Sequence, residues 1–387
     1  MKWMITEDKL GRDQVEAIDE IGKIRDKPVW IKGHAGSGKS VLLLHALADY
    51  VIKYPAKSVC VVVFTRALVD LLQTGLTQIP KLRGKQIPVL TIYELRTKLS
   101  GNVRYDAIFC DEVQDLPLEF ITLMKSATTH LIISGDAEQS IYDSVPSFNS
   151  SPASPAEITQ AIKPIERNLG VIYRLTQSIL NVLKRVFPAM LADKPNIAKQ
   201  DTEIKLYEAS SEHEEITFCW DEAKRTNSLR TSEICAILIS GHNAIINFVS
   251  NVLKHERKAA WTRVNNGDGK PNYGLLNKHL ESQGIPLMYI GNNYGSLTQA
   301  DSRSKIVIMT YHSAKGLDFD YVYLPLCGSK MYIHSKINEL LLVALSRSRS
   351  GLMITYCDDL YQPLKKFLQN LSPKIIGESA NEDEILF

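Results

Sequence analysis

The apolar positions of the first 148 residues gather into short unbroken runs separated by stretches of helical spacing. VCVVVF (59–64), YDAIFCDE (105–112) and HLIISGD (130–136) are continuous rather than alternating, the pattern of strands covered on both faces. Strand and helix therefore alternate, and a parallel α/β sheet is expected. A second alternation starts near residue 163, with helical ILNVLKRVF, strand-like ICAILIS, helical IINFVSNVL and LLNKHLESQGI, then KIVIMTY and YVYLPL as strands. Two domains follow, at 1–148 and 163–371. The boundary is drawn through 149–162, because SVPSFNSSPASP (144–155) is crowded with Ser and Pro and reads as an exposed linker. VNNGDGKPNYG (264–274) reads as a flexible loop, and 372–387 as an acidic tail expected to be disordered.

Composition changes this picture little. With 387 residues and 44% hydrophobic content, two sizeable cores are within reach. The N-terminal stretch lacks a signal-peptide pattern and no run approaches a membrane span, so a cytoplasmic protein without a membrane partner is expected. Six cysteines stand singly, without a C-x-x-C pair, and read as reduced core thiols. The net charge of +2 excludes a globally basic polyanion binder and leaves room only for a local groove.

Chemistry enters with GHAGSGKS (33–40), set between an apolar run and a helical one. It fits G-x-x-x-x-G-K-[ST] in the context that motif requires. Gly33, Gly36 and Gly38 would let backbone N–H groups turn toward phosphates, Lys39 would reach the β- and γ-phosphates, and the Ser40 hydroxyl would bind Mg²⁺. ATP and Mg²⁺ are the cofactors expected. CDEVQDLP begins where the strand YDAIF ends, which suits Asp111 to the metal and Glu112 to general-base work on water. GDAEQSIY (135–142) closes another strand and carries Gln139, an amide able to sense a phosphate or its water.

DEVQD, GDAEQSIY, TYHSAKGLDFD (310–320) and LLLVALSRSR (340–349) occur in the order found in the UvrD/Rep family of superfamily 1 DNA helicases, which the chain resembles from DQVEAI almost to its end. The resemblance implies two RecA-like P-loop domains, parallel sheets flanked by helices, with ATP in a cleft between them. It implies that Gln14 reads adenine, that Tyr173 stacks on it, that Arg174 and Arg347 reach the γ-phosphate, and that Asp318 contacts the sugar. It further implies a single-stranded DNA track along Phe64, Thr65, Thr91, Tyr93, Tyr142, Thr310 and His312, and movement from 3′ to 5′. Two departures stand out. Asp143-Ser144 follow QSIY where the family has an aromatic and an arginine, and the spacing between motifs is too short for the large insertions of bigger members. The chain thus resembles a compact two-lobe translocase or helicase acting on single-stranded or partly single-stranded DNA. The alternative is a nucleotide-switched module that binds DNA and recruits a protein partner such as a nuclease.

Overall fold

A computed structural model describes residues 3–24, 27–136, 140–145, 148, 150–187, 201–267, 269–291, 293–331, 334–369 and 371–377. The chain divides into two compact units that part between Arg174 and Leu175.

The first unit holds a six-stranded sheet made of β1 (Val29–Gly33), β2 (Val59–Val63), β3 (Val89–Thr91), β4 (Ala107–Cys110), β5 (His130–Gly135) and β6 (Ile165–Leu169). Its order is β3-β2-β4-β5-β1-β6, and every pairing is parallel. Helix α1 (Arg12–Ile21) precedes the first strand, and the crossovers that parallel neighbours need are supplied by α2 (Lys39–Lys53), α3 (Arg66–Thr77), α4 (Ile92–Ser100), α5 (Leu118–Ala127) and α6 (Pro155–Ile162). The three strands expected from continuous apolar runs are all present, and β2 and β4 are buried along their whole length. Side chains from β2, β4, β5, α4 and α5 form one core around Phe109's neighbours Ile108 and Cys110, with Phe120 and Met124.

The expected linker is where sequence and structure part. Residues 155–162 form α6, opened by Ser154, whose hydroxyl accepts the Glu157 N–H while the Glu157 carboxylate accepts the Ser154 N–H. Pro155 at the first helical position completes this start signal, and Ile158 and Ile162 are buried in the core. The Ser/Pro content therefore marks a helix start rather than an open linker. Strand β6 then pairs with β1, so the first unit continues past residue 163 to Arg174.

The second unit contains β7 (Glu203–Ala209), β8 (Cys235–Ile239), β9 (Leu287–Tyr289), β10 (Ile306–Thr310), β11 (Phe319–Leu324), β12 (Ser348–Cys357) and β13 (Lys374–Ile375). They form a parallel sheet ordered β13-β7-β12-β11-β8-β10-β9. Around it lie α7 (Gln177–Val186), α8 (Glu212–Leu229), α9 (His242–His255), α10 (Tyr273–Ser282), α11 (Leu297–Ser302) and α12 (Ile337–Leu345). Trp220, Phe248, Tyr273, Tyr289 and Tyr323 are among the large side chains of its core. Helix α8 escapes an apolar-run reading because its polar face is wide, yet it buries Ile216, Cys219, Trp220 and Ala223. The stretch 264–274 is not an open loop: Asn265 bridges Pro271 and Tyr273 starts α10. The acidic tail begins within the sheet as β13, and its residues from 378 onward lie outside the described residues. All six cysteines are free, five of them buried. No helix among the described residues is long and apolar enough to cross a membrane.

Candidate functional site

The P-loop connects β1 to α2 in the first unit. Gly36 and Gly38 have φ of +79° and +82°, a left-handed conformation that costs an L side chain about 1–2 kcal/mol. Gly38 is the N-cap of α2, so the loop delivers the chain to a helix N-terminus with unsatisfied N–H groups. The Lys39 ammonium folds back over the loop and donates to the carbonyls of Gly33 at 2.8 Å and His34 at 3.0 Å. Only 8% exposed, it is held at the loop's inner side by acceptors weaker than a phosphate oxygen.

The neighbouring Ser40 hydroxyl donates to Asp111 Oδ2 at 2.5 Å. Asp111 follows β4 directly and is 1% exposed. Its other oxygen accepts from the Ser134 hydroxyl at 2.6 Å and the Glu112 N–H at 3.0 Å. Burial, and then the nearby Glu112 carboxylate, push its pKa above the ordinary value, while Ser134, Ser40 and Lys39 pull it down. Ser40 and Asp111 thus present two hard oxygen donors side by side, which fits Mg²⁺, an ion that takes only one or two protein ligands at phosphate sites.

Glu112 is half-buried and non-glycine with φ +56° and ψ +43°. Such a backbone persists only where its surroundings enforce it. Here the Glu112 N–H is tied to Asp111, and the Gln114 side-chain amide donates to the Glu112 carboxylate. Gln114 in turn accepts the Asp136 N–H at 3.0 Å, joining the ends of β4 and β5. Ser134 and Gln114, which motif reading passed over, each donate a hydrogen bond to one of the two acids. Both had a signal: Ser134 interrupts an otherwise apolar strand, and Gln114 lies inside DEVQD. Gln139 lies outside the described residues.

Gln14 and Tyr173 come together against this loop. Gln14 is 1% exposed, accepts the Gly11 N–H at 3.0 Å and donates to the Ser37 carbonyl at 3.3 Å. The Gly36 carbonyl accepts two successive backbone N–H groups, from Tyr173 at 2.9 Å and Arg174 at 3.1 Å. The Tyr173 hydroxyl donates to Asp13, and burial with that carboxylate raises its pKa. Tyr173 and Arg174 therefore belong to the first unit, not to a domain starting at 163, because the P-loop itself anchors their backbone.

In the second unit Arg347 is 3% exposed, its guanidinium donating to the carbonyls of Val343 at 2.8 Å and Leu317 at 3.0 Å and to the Ser346 hydroxyl at 2.7 Å. Asp318, half-buried, is the residue after Leu317. Thr310 ends β10, and its hydroxyl lies 3.1 Å from that of Ser313. The half-buried His312 meets His334 edge-on with ring centroids 5.0 Å apart.

The other residues of the expected strand track belong to the first unit: Phe64 and Thr65 follow β2, Thr91 ends β3, Tyr93 lies in the first turn of α4, and Tyr142 lies in the chain beyond β5. Phe64 is 9% exposed and joins the core, its ring 4.6 Å from that of Tyr142. Tyr142 and Tyr93 are both half-buried at the margin of that core. Thr65 caps α3 and Thr91 caps α4, so each hydroxyl already accepts a helix N–H.

Similarity to known families follows the same division. A family model described as AAA domain matches residues 14–144, and one described as UvrD-like helicase C-terminal domain matches residues 275–359. Among solved structures, that of the PRRSV helicase is 15% identical over 92% of this chain and 56% of its own, with a TM-score of 0.45. The arterivirus nonstructural protein 10 helicase is 14% identical over 92% of this chain and 64% of its own, with a TM-score of 0.43. This chain spans less than two thirds of the length of either. No curated protein matches it. With a nucleotide-binding model on the P-loop unit and a UvrD-like model on the unit after it, the chain belongs to the UvrD-like superfamily 1 helicases.

Proposed function

We propose that this protein is an ATP-driven translocase or helicase on single-stranded DNA, moving 3′ to 5′. The observation that carries the reading is the cluster in the first unit, where Ser40 and Asp111 share a 2.5 Å hydrogen bond beneath the P-loop and Glu112 stands one residue further on. The two acids divide the labour. Asp111 is buried and held by Ser40, Ser134 and a backbone N–H, so it cannot turn toward a water. Glu112 is half-exposed and aimed by Gln114, as a general base must be. Lys39 exchanges its loop carbonyls for phosphate oxygens, because a charged acceptor forms the stronger hydrogen bond. Ser40 and Asp111 would hold Mg²⁺, which when bound neutralises charge on the phosphate oxygens.

Gln14 and Tyr173, adjoining the P-loop, support adenine recognition beside it. Arg347 supplies positive charge to the γ-phosphate in the transition state, the role its place in the LSRSR motif implies. Half-buried Tyr93 and Tyr142 offer rings for sequence-independent stacking, with Thr310 and His312 as polar contacts for the backbone. Phe64 supports Tyr142 from the core side. The direction rests on the HSAKGLDF signature. A nucleotide switch without movement is favoured by one feature, the exposed Asp143 and Ser144 after Tyr142, which supply neither a stacking ring nor a cation.

ATP turnover measured with and without oligothymidine tests the motor, and strand displacement on 3′-tailed and 5′-tailed duplexes tests its direction. Stimulation by the strand and preference for the 3′ tail are expected. Turnover indifferent to the strand overturns the motor, and preference for the 5′ tail overturns the direction.

A further inference from the structure

The near-neutral net charge conceals one concentrated basic stretch. Between Glu256 and Glu281 the chain carries Arg257, Lys258, Arg263, Lys270 and Lys278 against a single carboxylate, that of Asp268. Two of these cations, Arg263 and Lys270, are borne by a hairpin that motif reading took for an open loop. Asn265 bridges Pro271, the Asn272 N–H donates to the Val264 carbonyl at 2.7 Å, and the Asn266 N–H donates to the Lys270 carbonyl at 2.8 Å. Gly269, with φ +76°, closes the turn.

The hairpin stands on a rigid base. The Asn266 side-chain amide donates to the Tyr294 hydroxyl at 3.0 Å. Tyr294 meets Tyr273 edge-on, and Tyr273 stacks on Tyr289 with ring centroids 3.5 Å apart, both rings fully buried. Trp261 packs its ring against the same core just before the hairpin begins. Arg263 is exposed but fixed: its guanidinium donates to Asn265 Oδ1 at 2.8 Å and Asn243 Oδ1 at 3.2 Å. Both acceptors are neutral amides, so the side chain is oriented without its charge being cancelled. Burial, then Lys270 and Arg263, lower the basicity of His242, so these two cations act on one small region. Concentrating like charges in this way is unfavourable by itself and becomes favourable when a polyanion arrives. Gly267 and Gly269 have nothing within 4 Å of where a β-carbon would stand.

The position adds to the argument. Tyr294, under the hairpin, exchanges backbone hydrogen bonds with Gly291, and a β-carbon at Gly291 would lie 2.6 Å from the Ser313 hydroxyl. Ser313 is hydrogen-bonded to Thr310. The hairpin is thus linked through one turn to the segment Thr310–Ser313, which the functional reading assigns to the DNA backbone.

We propose that Arg263 and Lys270 form a second phosphate contact, gripping the backbone of the DNA strand beside Thr310 and His312. The inference rests on the reading of the protein as a DNA motor. Neither side chain has a role in ATP chemistry, so the contact would act on grip and not on hydrolysis itself.

Fluorescein-labelled oligothymidine is titrated against the full chain and its Arg263→Glu/Lys270→Glu variant over a range of salt. Two lost phosphate contacts should lower affinity roughly tenfold and flatten the dependence of log K on log salt by about 1.4. ATP turnover without DNA should be unchanged, and Arg263→Lys/Lys270→Arg should keep the wild-type slope. A wild-type chain that binds the strand while the charge-reversed variant keeps the same slope overturns this inference alone. A wild-type chain that does not bind the strand overturns the motor reading and this inference together.

Discussion

Among the buried carboxylates, Asp111 in the first unit and Glu215 in the second are the sharpest contrast. Asp111, 1% exposed in the first unit, receives hydrogen bonds from Ser40, Ser134 and the Glu112 N–H. Glu215 on α8, 0% exposed in the second unit, accepts the Leu326 N–H at 2.5 Å and the Thr355 hydroxyl at 2.9 Å through one oxygen. Burial drives both pKa values upward, that of Glu215 to about 7. A perturbed carboxylate is thus no guide to chemistry by itself. What separates the two is company: Asp111 lies beside a phosphate-binding loop and a second acid, whereas Glu215 ties α8 to β12 and to the chain leaving β11.

The largest effect is expected at the P-loop lysine. Lys39→Ala should reduce ATP turnover to background, and measurable turnover would mean that the first unit's acid has been misread. Arg347→Ala should lower turnover roughly a thousandfold while ATP affinity stays close to wild type, because its charge is needed chiefly in the transition state. Equal loss of binding and turnover, measured by nucleotide titration, contradicts that. Glu112→Gln should cost about 10²–10³ in turnover and retain bound ATP. A variant that releases ATP as it loses turnover assigns Glu112 to binding instead.

Glu215 gives the converse test. Its folded pKa of about 7 lies above the ordinary 4.5, so the protonated form is favoured by folding. Below pH 4.5 its contribution is complete. As pH rises toward 7 the unfolded chain ionises first, and about 3 kcal/mol of stability is lost. Glu215→Gln should flatten denaturation midpoints across that window and leave ATP turnover unchanged. An identical pH profile in the two proteins removes the assigned cause, and a fall in turnover would make Glu215 more than structural. The smallest effect is expected from Ser134→Ala, which deletes one of three donors to Asp111 and should slow turnover about tenfold. No change would show that Ser40 and the backbone N–H suffice to hold that carboxylate.

What was legible from sequence follows from range. GHAGSGKS and the acid pair of DEVQD are short and their chemistry is local, so spacing alone locates Lys39, Ser40, Asp111 and Glu112. The strands at 59–63, 107–110 and 130–135 announce themselves because burial on both faces demands unbroken apolar runs. The other decisions belong to contacts between distant residues. The unit boundary lies at Arg174 because β6 finds its partner in β1, more than 130 residues earlier, and because the P-loop's Gly36 carbonyl captures Tyr173 and Arg174. Ser134 and Gln114 gain their roles only when β4 and β5 lie side by side. Phe64 turns out to be a core residue, a choice a strand-terminal aromatic leaves open until packing decides it. The Asn/Gly-rich stretch before α10 becomes a fixed hairpin because the aromatic stack of Tyr273 and Tyr289, with Tyr294 against its edge, gives its polar side chains something rigid to hold. Local spacing determines which chemistry is present, and long-range pairing determines which residues share it.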